Sequence, residues 1–217
     1  MPEKAGEHAK APYFFLSYAR MPVHNDTGTL NGEADQDVIE FYQDLCTAIR
    51  NLGYVVPGAQ AGYLDRAMGT ATQWEDAVQQ ALATCRTFVA LYKPAYFQSS
   101  WCGREWAAFE RRQQLARQAG SIAYDAIIPV LWADEASLPD PLPKAAKPVQ
   151  YEDAGQPSSY RLQGLWELRF GMYDHDYKRA TIAIARTILR IARSTKIPPC
   201  KITEFSQDDN AFSSISE

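Results

Sequence analysis

The sequence predicts an α/β fold: a three-layer sandwich with a central parallel sheet between two sets of helices. Two observations carry this. Short apolar and aromatic runs alternate with longer stretches of helical apolar spacing through most of the 217 residues, and that alternation builds a parallel sheet with helices on both faces. An apolar fraction of 46% is that of a globular chain with a core of its own, and this length makes one domain the default.

The elements follow in order. Tyr13-Phe14-Phe15-Leu16-Ser17-Tyr18 is a short aromatic run suited to a central buried strand. Residues 21–37, rich in Asn, Asp, Gly and Thr, read as a loop. Val38, Phe41, Tyr42, Leu45, Ile49 and Leu52 recur at helical spacing, and Gly53 supplies the stop. Gly62-Tyr63-Leu64-Asp65 is a short second strand, and residues 66–72 form a loop containing Gly69. Trp74, Val78, Ala81, Leu82 and Cys85 mark the next helix. The apolar run from Thr87 to Tyr92 is the third strand, and a helix runs from Trp101 to about Ala119. Ala126 to Trp132 is the fourth strand, which Pro129 places near an edge or gives irregular pairing.

A Pro-rich loop, 139–148, leads to a weak fifth strand at Val149-Gln150-Tyr151. Residues 160–170 form a short helix, and Tyr177, Thr181, Ile184, Ile188 and Ile191 the last helical stripe. Past Pro198-Pro199 the chain turns polar and Ser-rich, the composition of a tail. The expected division is a polar segment at 1–11, one domain at 12–193 and a flexible C-terminal tail or linker at 194–217.

Composition removes several function classes. A net charge of −4 disfavours nucleic acid as an electrostatic partner. The cysteines at 46, 85, 102 and 200 include no CxxC pair, so neither a metal site nor a disulfide framework is indicated. The mixed-charge start is unlike a signal peptide, and no apolar run approaches the ~20 residues of a membrane helix. A cytoplasmic location and no membrane partner are the expectation. No GxGxxG follows the first strand and no GxxxxGK[ST] occurs, so the common phosphate-cradling loops are absent.

The most informative stretch is Ser99-Ser100-Trp101-Cys102-Gly103-Arg104-Glu105. It puts a carboxylate in the opening turns of a helix, just past the C-terminal end of a strand. Ligands bind at that edge of open α/β sheets. Trp101 and Glu105 are four apart and share a helical face. An aromatic plane beside a carboxylate suits a flat, positively charged ring attached to a sugar, as in the nicotinamide riboside end of NAD+. The plainer reading of Glu105 is a first-turn glutamate that complements the helix dipole. Trp101 fits a pocket wall or the core, and Trp74 fits the core. Asp65 at a strand end is a phospho-acceptor position, but its usual acidic and lysine companions are missing. Ser17 lacks a histidine placed to activate it. Cys102 reads as a packed thiol.

Taken jointly, three segments resemble the Toll/interleukin-1 receptor (TIR) domain family, in its bacterial group. Tyr13 to Arg20 looks like the family's first box, an aromatic strand ending in Ser-Tyr. Tyr63-Leu64-Asp65, then Gly69 and Trp74, looks like its second strand and BB loop. Leu91 to Glu105 looks like its S-x-W-C-x-x-E segment. The resemblance spans roughly residues 12–193. The long loop at 21–37 and the segment at 155–176 depart from the compact family core.

This resemblance implies a flavodoxin-like sheet of five parallel strands in the order 2-1-3-4-5. It implies an enzyme that cleaves the nicotinamide–ribose bond of NAD+, giving nicotinamide and linear or cyclic ADP-ribose, in defence or signalling. NAD+ is then the substrate and no cofactor is required. The family's catalytic glutamate falls on Glu105, and its substrate-binding positions fall on Tyr18, Arg20, Tyr63 and Trp101. Its assembly loop falls on Arg66, Met68 and Gly69, so other TIR domains are expected partners by self-association. The rival reading is a TIR interaction module without chemistry. A third is a nucleoside-processing enzyme using Glu105 on a smaller glycosidic substrate. One carboxylate suffices for NAD+, because nicotinamide leaves without protonation and only the ribosyl oxocarbenium ion needs stabilising; most glycosidases need a pair.

Overall fold

Four strands form the sheet, all parallel, in the order β2-β1-β3-β4. They are β1 (Phe14–Ser17), β2 (Gly62–Leu64), β3 (Thr87–Tyr92) and β4 (Ile127–Leu131). This computed structural model describes residues 10–21, 35–65, 76–121, 125–147, 155–195, 197–206 and 209–213. Phe15 registers with Tyr63 on one side and Phe88 on the other, and Ala90 with Pro129. β1, β3 and β4 are buried along their whole length, which is why they read as continuous apolar runs with no alternation. The expected fifth strand at 149–151 lies outside the described residues. Among those described, the sheet has four strands and β4 is its edge, a place that tolerates Pro129.

Helices cover both faces. One face holds α1 (Gln36–Leu52), α5 (Ser159–Phe170) and α6 (Asp174–Ser194). There Tyr42 packs on Phe14 and Phe41 on Trp132, each with ring centroids 5.8 Å apart. The stripe Val38, Phe41, Leu45, Ile49 of α1 is buried, as are Tyr177, Thr181, Ile184 and Ile188 of α6. The helix-like 3.6 spacing predicted both. α5 breaks at Gly164, whose φ of 70° suits glycine; a Cβ there would strike the carbonyl of Ala133.

The other face holds α2 (Asp76–Thr84), α3 (Pro94–Gln98) and α4 (Ser100–Gln118). Phe88 stacks on Phe109 at 5.4 Å and meets Trp106 edge-on at 6.1 Å. Alternation along the strands turns Phe15, Ser17, Tyr63, Phe88 and Tyr92 towards this face. The site is built here. α3 is five residues long, with Pro94 in its first turn, too short to show periodicity in the sequence.

The segment from residue 197 onward departs from the flexible tail or linker expected at 194–217. Several of its described residues pack on the domain. Ile197 and Phe212 are buried. The Cys200 N–H donates to the Ala83 carbonyl at 3.1 Å, and the Ala211 N–H to the Gly103 carbonyl at 3.1 Å. The fully buried Arg112 guanidinium donates to the carbonyls of Ile197, Pro198, Leu82 and Cys85 at 2.6–3.1 Å, so a cation in the core is satisfied by backbone dipoles. Phe212 sits among Tyr96, Phe97 and Trp106, with centroids 5.5–5.7 Å away. Polar composition concealed these two apolar anchors.

Candidate active site

Ser17 ends β1, Asp65 follows β2, and β3 runs into α3 and α4. The Ser99 hydroxyl caps α4 by accepting from the Cys102 N–H at 3.2 Å, which places Trp101 in the first turn and Glu105 one turn later. That turn aims the Glu105 side chain back across the strand ends.

Glu105 is only 2% exposed. Its Oε2 accepts from the Ser17 hydroxyl at 2.5 Å, and its Oε1 accepts from the Trp101 indole N–H at 2.9 Å. The Ser17 hydroxyl lies 3.0 Å from the phenol oxygen of Tyr96. Burial pushes the Glu105 carboxyl up to about 8, and the nearby Asp65 adds to the rise. The hydrogen bonds from Ser17 and Trp101, and the Arg20 charge, oppose it. Near pH 7 the carboxyl is therefore largely neutral and enclosed.

Around it, Arg20 donates to Asp65 Oδ2 at 2.7 Å, bridging the ends of β1 and β2. Arg20 thus stands in an ion pair, with its side chain 37% exposed. Tyr18 is buried; burial and the charge of Asp35 hold its phenol up to about 12. Tyr63 is half-buried and stacks on Phe15 at 5.4 Å, on the same sheet face as Ser17. Trp101 is half-buried, with the Arg104 guanidinium 5.8 Å from its ring. Cys102 is fully buried and burial pushes its thiol well up, so it is an inert packed thiol.

The structure brings Glu105 and Trp101 into direct contact, with Tyr18, Arg20 and Tyr63 at the neighbouring strand ends. Arg66, Met68 and Gly69 lie outside the described residues, as does Trp74. Sequence reasoning missed Asp65 as the partner of Arg20, Ser17 as a partner of Glu105 and Tyr96 as the partner of Ser17. The strand order 2-1-3 was the signal that puts residues 17, 65 and 105 at one edge. Among the described residues no three His, Cys, Asp or Glu side chains converge as metal ligands, and no helix is long and apolar enough to cross a membrane.

A sequence model described as "TIR domain" matches residues 14–168, well over half of the chain and the whole of this site. Among solved structures, the TIR domains in the structure of the activated Roq1 resistosome directly recognising the pathogen effector XopQ are similar at 14% identity. That match covers 85% of this chain and 86% of that chain, with a TM-score of 0.35. No curated protein matches the chain.

Proposed function

The chain belongs to the TIR domain family, and from that premise we propose that it is a NAD+ nucleosidase. The observation that supports this reading is the Glu105 carboxyl, held under the Trp101 indole at the C-terminal ends of the central strands. The reaction breaks the bond between the nicotinamide nitrogen and C1′ of the ribose. Nicotinamide departs neutral, with the bonding pair. Water, or a nucleophile of the same molecule in the cyclic case, adds to C1′ and loses its proton to solvent. Glu105 stabilises the developing oxocarbenium charge.

Substrate itself supplies the reason for Glu105 to ionise. The nicotinamide ring of NAD+ is a cation, and an opposite charge within a few Å favours the carboxylate. When Trp101 swings from Oε1 to flank the ring, that oxygen is freed for the ribose hydroxyls. Tyr63 and Tyr18 line the approach, and Arg20 exchanges Asp65 for the pyrophosphate. The loop holding Arg66, Met68 and Gly69 contacts a neighbouring copy, so activity depends on self-association. NAD+ is the substrate, and no other cofactor takes part.

One observation favours a second reading, a TIR interaction module without chemistry: both Glu105 oxygens are occupied by the protein's own donors. Incubating the purified protein with NAD+ and measuring nicotinamide separates the two. Free nucleosides in place of NAD+ test the smaller glycosidic substrate.

A further inference from the structure

The hydroxyl of Tyr96 is an expensive group in its place. The ring is fully buried among Tyr92, Phe97 and Phe212, at 4.8–6.0 Å between centroids across that cluster. A phenylalanine would fill the same space, and a buried hydroxyl costs about 1–3 kcal/mol unless it is paired. Its hydrogen-bond partner is Ser17 Oγ at 3.0 Å. Ser17 in turn donates to Glu105 Oε2, so its oxygen is left to accept from the phenol. Burial raises the Tyr96 phenol well above its usual range, which keeps it a donor at any working pH. The order of donation is therefore Tyr96 to Ser17 to Glu105, and each bond polarises the next.

We infer that Tyr96 and Ser17 are positioning residues for Glu105: a two-hydroxyl relay from α3 through the end of β1 that fixes the orientation of the carboxyl and favours its charged form. The relay ties together three elements, because Tyr96 stands on α3, Ser17 on β1 and Glu105 on α4. Tyr96 is in turn held by Phe212 of the C-terminal segment. Gly103 makes room for that segment, since a Cβ there would collide with Asn210. Neither Tyr96 nor Ser17 contacts substrate; both act through Glu105. The inference rests on the nucleosidase reading for its consequence in catalysis.

The other groups that face Glu105 are Asp65 and Arg20 at the ends of β2 and β1, and Cys102 on its own helix, which Lys93 approaches in turn. Cys102 also shares a side-chain hydrogen bond with Ser17, which Ser17→Ala removes and Tyr96→Phe keeps. The test uses Tyr96→Phe, which keeps the packing, and Ser17→Ala. In protein labelled with 13C in the glutamate side chains, the Glu105 carboxyl signal is assigned by its loss in Glu105→Gln and followed against pH. Removing a donor to a carboxylate disfavours the charged form, so the Ser17→Ala midpoint moves up by about one pH unit, the worth of one hydrogen bond to a charged group. The Tyr96→Phe midpoint moves in the same direction by less. The acid limb of the kcat/KM profile moves with the midpoint, and kcat falls while KM stays within about twofold. Unchanged or lowered midpoints in both variants overturn the relay. The titration does not depend on turnover: shifted midpoints in a protein that releases no nicotinamide leave the relay standing and refute the nucleosidase reading, whereas turnover with unshifted midpoints does the reverse.

Discussion

The Trp101 indole donates its N–H to Glu105 Oε1 across 2.9 Å, one turn apart on α4. The bond occupies one carboxyl oxygen, and on the proposed nucleosidase reading it is the contact that substrate replaces. Trp101→Phe retains an aromatic wall and loses the bond. With no bond for substrate to break, KM should stay level or fall with kcat within about tenfold, whereas Trp101→Ala, which removes the wall itself, should raise KM. Wild-type KM in Trp101→Ala would show that the ring does not line the pocket.

Glu105→Gln should cut nicotinamide release by at least ~10²–10³ and leave the circular dichroism spectrum unchanged. The amide keeps the shape and loses the charge that the oxocarbenium ion needs. Glu105→Ala should behave the same way in turnover. Wild-type turnover in Glu105→Gln would remove Glu105 from the chemistry.

The same substitution should alter stability in a pH-dependent way. The folded protein holds a proton on Glu105 up to about pH 8, whereas an unfolded chain releases it near the ordinary carboxyl value. The stability contributed by the protonated, buried group is full below the unfolded value and is lost as pH rises through about 8. Glutamine never ionises. The melting temperature of Glu105→Gln should therefore gain on wild type between pH 6 and pH 9, by the equivalent of a few kcal/mol. Parallel melting curves across that range would mean that Glu105 is ionised in the folded state throughout.

Tyr63 stacks on Phe15 and is read as facing the nicotinamide side. Tyr63→Ala should weaken cleavage more than Tyr63→Phe, because stacking uses the ring and not the hydroxyl. Equal losses from the two would assign the effect to the hydroxyl.

The C-terminal segment should contribute to the stability of the domain. Phe212→Ala removes a ring buried among three aromatics and should cost about 3 kcal/mol, read as a lower midpoint in urea. Gly103→Ala should act in the same direction by displacing Asn210. No loss in either variant would indicate a segment that is only loosely attached.

Much of this was legible in the sequence. Periodicity located α1 and α6 because their buried residues recur every three or four positions. Continuous apolar runs located β1, β3 and β4 because both of their faces are covered. The Trp101–Glu105 contact followed from helical spacing alone. What could not be read were contacts between distant residues: Ser17 meets Glu105 and Arg20 meets Asp65 only once the strand order is set. Tyr96 stands on a helix too short for a pattern. Ile197 and Phe212 are single apolar anchors in a polar stretch, a signal that composition averages away.

Nicotinamide release from NAD+ as a function of protein concentration, with Glu105→Gln as the control and light scattering to report the oligomeric state, decides whether the chain is a nucleosidase activated by assembly. Wild type should release nicotinamide and the control should not, with specific activity rising as the protein assembles and that rise lost when Met68 or Gly69 carries a bulky charge. No release from fully assembled wild-type protein, or equal release by Glu105→Gln, would contradict the nucleosidase reading.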